Sequence, residues 1–116
     1  MALAVVAGAF GAHTLKSMLQ PASLQAWQTA VLYHFVHTLG LLFLLRLMGT
    51  SALMRWSVRL MAVGLICFSG SLYLLACKDL IAVRIDFLGP ITPLGGVAWI
   101  GAWICAALGI KSAQMQ

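Results

Sequence analysis

The sequence contains very few acidic residues and few charged residues of any kind. Among its 116 residues there is no glutamate, and seven lysines and arginines outnumber the two aspartates, Asp79 and Asp86. Charged residues make up 8% of the chain and hydrophobic residues 63%, whereas average soluble domains are about 25% charged. A chain this short has too much surface to hide that much apolar area from water. The composition excludes a soluble monomer and a disordered chain, and it indicates an integral membrane protein.

The sequence also lacks the motifs that many enzymes use. No Gly-x-Ser-x-Gly elbow, P-loop or dinucleotide fingerprint occurs, and the predicted spans contain no carboxylate for general acid–base catalysis. The three cysteines, Cys67, Cys77 and Cys105, form no C-x-x-C motif and are typical of buried packing residues. The basic residues are scattered singly between apolar runs, which favours membrane topology over nucleic-acid binding. We therefore expect a non-enzymatic protein with no nucleic-acid partner.

Four apolar stretches predict four transmembrane helices in one domain over residues 1–116, at about 1–19, 22–48, 54–77 and 93–110. A helix needs about 20 residues to cross the hydrocarbon core. The first stretch reaches this length only if Lys16 extends its ammonium to the interface, and a start further upstream is the alternative. Short links favour an all-α, antiparallel up-down four-helix bundle. The segment 78–91 is apolar but holds both aspartates, so we expect it to lie along the membrane surface.

Basic residues predict the orientation of this bundle. One side carries four of them, concentrated at the link between helices two and three: Arg46, Arg55, Arg59 and Lys111. The other side carries three: Lys16, Lys78 and Arg84. Because cytoplasmic loops are enriched in lysine and arginine, both termini are expected in the cytoplasm and the segment 78–91 outside.

Small residues recur at four-residue spacing along the predicted helices. This spacing lets helix backbones approach closely in lipid, where no hydrophobic effect drives helices together. It predicts tight packing within the chain, or contacts to another protein or to a second copy. The residues predicted to pack helices in this way are Ala4, Gly8, Ala12, Gly70, Gly95, Gly96, Gly101 and Ala102.

Polar side chains on the predicted helices form a candidate site. Tyr33, His34 and His37 share one sector of helix two, because residues three and four apart lie on one helix face. Ser69 and Tyr73 form a similar stripe on helix three. At about 1.5 Å per residue, both stripes fall in the outer half of the bundle. We predict that seven polar residues converge there: His13, Tyr33, His34, His37, Ser69, Tyr73 and Thr92.

Two roles are open for this cluster. Interhelical hydrogen bonds would stabilise the bundle without any ligand, whereas ionisable groups inside a membrane are costly and often functional. The candidate ligands are a quinone, a lipid headgroup, a zinc or copper ion, and a haem. A haem would need His13 together with His37, because His34 and His37 come from one side of a helix. No residue pattern assigns a cofactor or a metal, so the cofactor is unknown.

The chain resembles the YgdD-like family, small inner-membrane proteins grouped as a domain of unknown function and related to eukaryotic small transmembrane proteins. The resemblance spans nearly the whole length and rests on four ordered motifs: Gly8-Ala9-Phe10-Gly11-Ala12-His13; Trp27-x-Thr29-Ala30 with Tyr33-His34 and His37; Phe68-Ser69-Gly70-Ser71-Leu72-Tyr73; and Thr92-Pro93-Leu94-Gly95-Gly96 with Gly101 and Trp103. It implies a multi-pass protein of the plasma (inner) membrane with four helices, and it supplies no catalytic residue.

Two functions are therefore predicted from different classes. The first is a structural or accessory subunit in the lipid bilayer, with a larger membrane complex or a homo-oligomer as its partner. This prediction rests on the small-residue surfaces and the missing catalytic groups. The alternative is a membrane-embedded binding or transport protein for a quinone, a lipid or a metal, which would use the polar cluster.

Overall fold

The chain is helical throughout the part that the structure describes. The structure is a computed structural model that describes residues 1–49 and 51–115, and no strand occurs in those ranges. The helices in those ranges are α1 (Ala2–His13), α2 (Pro21–Leu47), α3 (Ala52–Ala76), the short α4 (Lys78–Ile81) and α5 (Ile91–Gln114). Three segments there are long and apolar enough to cross a membrane: Pro21–Leu47, Ala52–Ala76 and Asp86–Ser112. The all-helical prediction is confirmed for these residues.

The first helix is shorter than predicted. It ends at His13 rather than at residue 19, and its 12 residues rise only about 18 Å. The chain then tightens into a 3-10 turn over Leu15–Ser17, where the Ser17 hydroxyl donates to the Thr14 carbonyl at 3.0 Å, a local bond of the kind that competes with α-helix continuation. Before Pro21, Gln20 is extended with ψ 153°, since a residue that precedes proline avoids the helical region.

Helix α3 lies between α2 and α5 and runs antiparallel to both. Along α5, Ser57 Oγ donates to the Ala102 carbonyl at 2.8 Å, and Ser71 bonds Thr92 nearer the other end. Along α2, Ser69 Oγ donates to the Ala30 carbonyl at 3.1 Å. The core lies between these helices and consists of Leu44, Met54, Met61, Trp99, Ala102 and Ala106.

A π-helical turn interrupts α3 over Leu65–Gly70. Such turns widen a helix by one residue and occur frequently at functional sites. The α5 backbone approaches α3 closely at this turn, where a β-carbon added to Gly95 would lie 2.5 Å from the backbone nitrogen of Phe68. The wide turn therefore needs a glycine on the facing helix.

Most of the small residues predicted to pack helices do so within the chain. Ala4 and Ala102 are fully buried. A β-carbon added to Gly8 would meet Val31, one added to Gly96 would meet Phe68, and one added to Gly101 would meet Leu60.

Two of the small residues differ from this prediction. Ala12 is exposed, because it borders an open surface pocket between α1 and α2. No atom lies within 4 Å of a β-carbon added to Gly70, because Gly70 borders a cavity rather than a neighbouring helix.

The link between α3 and α5 is exposed and holds one weak ion pair. Ala82 ends α4 with φ 50°, and Lys78 Nζ lies 3.7 Å from Asp86 Oδ1, with both side chains largely exposed. Exposed pairs of this kind stabilise a protein little. Helix α5 then begins at Ile91 with Pro90 as its N-cap, two residues before the predicted start at 93.

Candidate functional site

The seven predicted site residues do not form one cluster. His34, Ser69 and Tyr73 border a cavity between α1, α2 and α3, which we call the His34 cavity. Tyr33 and His37 border a pocket between α2, α3 and α5, which we call the His37 pocket. Residues three positions apart on a helix point about 60° away from each other, so the two histidines contact different neighbouring helices.

His13 and Thr92 lie outside both of these sites. His13 is exposed at the end of α1. Because Gly8 faces Val31 and Gly11 faces Trp27, α1 runs away from His34 and His37 toward its C-terminal end. Thr92 lies in the first turn of α5, and its hydroxyl lies 2.6 Å from that of Ser71. Ser71 in turn donates to the Phe68 carbonyl at 3.0 Å. Thr92 therefore connects α5 to α3 and takes no part in the two sites.

The His34 cavity has a volume of about 440 Å³ and is open to the surface. Helix α1 supplies an apolar wall, and α2 and α3 supply the polar groups. Its lining consists of Leu3, Val6, Ala7, Phe10, Trp27, His34, Leu65, Ser69, Gly70 and Tyr73. Pockets of about 300–1,000 Å³ are typical of sites for small molecules.

Most polar groups of this lining are already used within the protein. The Ser69 hydroxyl donates to the Ala30 carbonyl, and the Trp27 indole N–H donates to the Ala7 carbonyl at 2.9 Å. The bond from Trp27 connects α1 to α2 and holds the apolar wall in place. The groups left for a ligand are those of the His34–Tyr73 pair.

The His34–Tyr73 pair always offers one hydrogen-bond donor to the cavity. His34 Nδ1 lies 3.1 Å from Tyr73 Oη, and the His34 ring has no other hydrogen bond within residues 1–49 and 51–115. If Tyr73 donates to Nδ1, the neutral ring carries its proton on Nε2. If Nδ1 donates to Tyr73, the phenol proton is left unused. The pair can therefore donate to a ligand in either tautomer.

The His37 pocket is lined by aromatic rings and has a volume of about 410 Å³. The imidazole of His37 stacks on Trp99 at a centroid distance of 3.5 Å, and the Tyr33 ring lies 5.6 Å away and nearly parallel. Phe68 packs against both Tyr33 and Trp99. These ring contacts hold the imidazole in a single orientation.

Thr38 Oγ1 is the side-chain oxygen in the described part of the chain that is completely buried and has no hydrogen-bond partner. It lies one turn beyond His34 on the same face of α2. Threonine hydroxyls in helices bond the carbonyl three or four residues earlier, so a rotation of this side chain would satisfy the group. Thr38 therefore adds no ligand group to either site.

Metal binding finds little support among the residues that the structure describes. No three histidine, cysteine or acidic side chains in 1–49 and 51–115 lie close enough together to hold one ion. The cysteines there are all free and half-buried. Because His13 lies apart from His37, the predicted pair of haem ligands does not form.

Sequence reasoning missed two tryptophans as determinants of the sites. Trp27 was not among the predicted site residues, yet it borders the His34 cavity and packs against Tyr73 with tilted rings at a centroid distance of 4.6 Å. Trp99 lies in the core and donates from Nε1 to the Met61 carbonyl at 3.2 Å. A signal was present in the sequence, since a buried indole usually needs an acceptor for its N–H.

The fold and these sites define a small helical membrane protein with two ring-lined pockets. Residues 7–96 match the family described as a protein of unknown function, DUF423. The chain belongs to this family. No solved structure matches the chain.

Relatives from bacteria are similar over most of this chain. The UPF0382 membrane protein YwdK of Bacillus subtilis is 44% identical over 108 residues, which cover 88% of this chain and 81% of that relative. A UPF0382 membrane protein of Staphylococcus saprophyticus is 42% identical, covering 92% of this chain and 86% of its own length. One from Staphylococcus epidermidis is 44% identical over 103 residues, covering 88% and 80%. These names agree with an uncharacterised small membrane protein.

Proposed function

We propose that this protein is a non-enzymatic, membrane-embedded binding protein for a lipid-soluble carbonyl compound of the quinone class. The observation that carries the proposal is the donor of the His34–Tyr73 pair, which has no partner and borders an otherwise apolar cavity. A quinone carbonyl oxygen accepts hydrogen bonds but donates none, so it fits either tautomer of the pair.

The position of the cavity fits a ligand that arrives through the bilayer. His34 lies at the midpoint of α2, which is long and apolar enough to span a membrane. The apolar wall formed by α1 suits a hydrocarbon tail, and the tilted rings of Trp27 and Tyr73 suit a flat ring. A water-soluble ligand would have to leave water to reach this depth, which disfavours it.

The test is calorimetric titration of decylubiquinone into the protein in lipid nanodiscs, with empty nanodiscs subtracted. Gly70→Leu places a side chain in the cavity, where a β-carbon on Gly70 meets no other atom. We expect this variant to lose binding while remaining folded. The matched control is Gly49→Leu, because Gly49 also has open space around it but lies outside the cavity lining.

A second variant tests the hydrogen bond itself. The double change His34→Phe with Tyr73→Phe keeps both rings and removes both groups that can donate to the ligand, because His34→Phe alone would leave the Tyr73 hydroxyl as a free donor. A hydrogen bond contributes about 1 kcal/mol net, so we expect roughly fivefold weaker binding of decylubiquinone. Equal affinity in the unmodified protein, Gly70→Leu and Gly49→Leu would refute the proposal.

The structural or accessory subunit role stays a prediction with weaker support. It rested on small-residue surfaces, and Gly8, Gly95, Gly101 and Ala102 contact neighbouring helices of the same chain. The YgdD-like grouping, the four-helix bundle, the inner-membrane location and the cytoplasmic termini also stay predictions. A reporter fused after Gln116 that is active only outside the cell would overturn the orientation.

A further inference from the structure

One nitrogen atom of a buried histidine has no partner in the part of the chain that the structure describes. The His37 side chain is 7% exposed, and its Nδ1 lies 3.0 Å from the Tyr33 carbonyl oxygen. A carbonyl only accepts, so Nδ1 carries the proton and donates it. In the neutral ring, Nε2 is then a lone-pair acceptor. Within residues 1–49 and 51–115 the His37 ring makes no other hydrogen bond.

The tautomer of His37 is set by the backbone and that of His34 is not. His34 bonds a hydroxyl, which can donate or accept, whereas His37 bonds a carbonyl. The two sites therefore have opposite chemistry. The His34 cavity offers a donor to its ligand, and the His37 pocket offers an acceptor.

The walls of the His37 pocket select the shape of what it can hold. Tyr33 and Trp99 lie nearly parallel at 5.7 Å, and Trp103 forms a tilted third wall at 6.5 Å from the His37 ring. Flat or ring-containing molecules gain the most from such surfaces. Trp103 is 41% exposed and Ile100 is 62% exposed, so the pocket opens toward the lipid-facing side of α5.

We infer that the His37 pocket is a second binding site, which takes a membrane-soluble, ring-containing alcohol whose hydroxyl donates to His37 Nε2. The unpartnered Nε2 at a pocket of aromatic rings carries this inference. It does not depend on the proposed quinone site, which involves another histidine and other helices.

The test compares two probes with the same ring system, one with a hydrogen-bond donor and one without. 2-Naphthol carries a hydroxyl, and 2-methoxynaphthalene carries a methyl ether of similar size that cannot donate. The protein, labelled with ¹⁵N in its imidazole rings and held in nanodiscs, is titrated with each. We expect 2-naphthol to shift the Nε2 resonance of His37, and we expect the ether to leave that resonance unchanged and to bind about fivefold to tenfold more weakly.

Two variants assign the resonance and separate the two sites. In His37→Phe the shifted Nε2 signal should disappear and 2-naphthol should bind about as weakly as the ether. In the matched variant His34→Phe both the shift and the affinity should remain. The inference is overturned if the two probes bind the unmodified protein equally, or if the signal that moves belongs to His34 or His13. If the unmodified protein binds 2-naphthol as expected but does not bind decylubiquinone, the quinone site is refuted and the His37 site is not.

Discussion

Two helix contacts in this protein are built in the same way but lie at different depths in the fold. Between α3 and α5, the Trp99 indole lies directly over Gly64, where an added β-carbon would overlap the ring. Its Nε1 donates to the Met61 carbonyl, three residues before that glycine. Trp99 is 3% exposed and belongs to the core.

The contact between α1 and α2 repeats this arrangement at the edge of a cavity. The Trp27 indole lies over Gly11, where an added β-carbon would lie 2.6 Å from the ring. Its Nε1 donates to the Ala7 carbonyl, four residues before that glycine. Trp27 is half-buried and borders the His34 cavity. The same contact, a tryptophan packed over a glycine of the neighbouring helix, therefore stabilises the core at one place and borders a cavity at another.

The largest effect is expected from Gly64→Leu. The new side chain would displace the Trp99 indole and break its bond to Met61, inside the core. Overpacking of a core costs about 1–3 kcal/mol and sometimes more, so we expect the free energy of unfolding to fall by about 3 kcal/mol. The measurement is SDS-induced unfolding in mixed micelles, with Gly49→Leu as the control. If Gly64→Leu lowers the free energy of unfolding by less than Gly11→Leu does, the Trp99 contact is not the more stabilising of the two.

A smaller loss of stability is expected from Gly11→Leu. This change pushes the Trp27 indole away from α1 and loosens the apolar wall of the His34 cavity. Since the contact lies at the edge of the fold, we expect a loss of about 1 kcal/mol. The same variant should bind decylubiquinone at least tenfold more weakly, whereas Gly49→Leu should bind it normally. If Gly11→Leu is destabilised but binds decylubiquinone as tightly as the unmodified protein, the apolar wall formed by α1 is not needed for binding.

Ser57→Ala should lower the free energy of unfolding by less than Gly11→Leu does. The variant removes the buried bond from Ser57 to the Ala102 carbonyl. Interhelical hydrogen bonds in membranes contribute about 0.6 kcal/mol on average, and the carbonyl keeps its helical partner. SDS-induced unfolding measures the loss, and Ser57→Cys is a control of similar size. A loss above about 2 kcal/mol would indicate that packing rather than this bond is at stake.

The smallest effect, and one of opposite sign, is expected from Gly70→Ala. No atom lies within 4 Å of the added β-carbon, and alanine favours a helix over glycine by about 1 kcal/mol at most. We expect the free energy of unfolding to rise by about 0.5 kcal/mol in the same SDS assay. A clear loss would mean that α3 packs tightly at the cavity, and the contrast with Gly64 would disappear.

Much of the secondary structure could be predicted from the sequence, and one boundary could not. The long apolar runs predicted α2, α3 and α5 because hydrophobic length is counted along the chain. The early end of α1 at His13 lies inside an apolar stretch, so apolar length alone did not indicate it. The π-helical turn in α3, which Gly95 of α5 approaches closely, was not predicted, because the length of an apolar run does not distinguish one helix type from another.

The sequence identified polar residues that border pockets, but it did not predict how these residues are arranged. His34, Tyr73 and Ser69 do border one cavity, and Tyr33 and His37 border another pocket. The spacing rule placed the histidines in one sector, which is correct to within about 60° on a helix. That difference decides which neighbouring helix each ring meets, and a neighbour cannot be found from spacing alone.

The sequence by itself determined that this is a helical membrane protein, because the balance of apolar and charged residues sets the solvent in which a chain can fold. The tertiary structure alone decided that the polar residues divide between a donor site at His34 and an acceptor site at His37. The physical reason is that an imidazole nitrogen takes its role from the atom opposite it, here a hydroxyl for His34 and a carbonyl for His37.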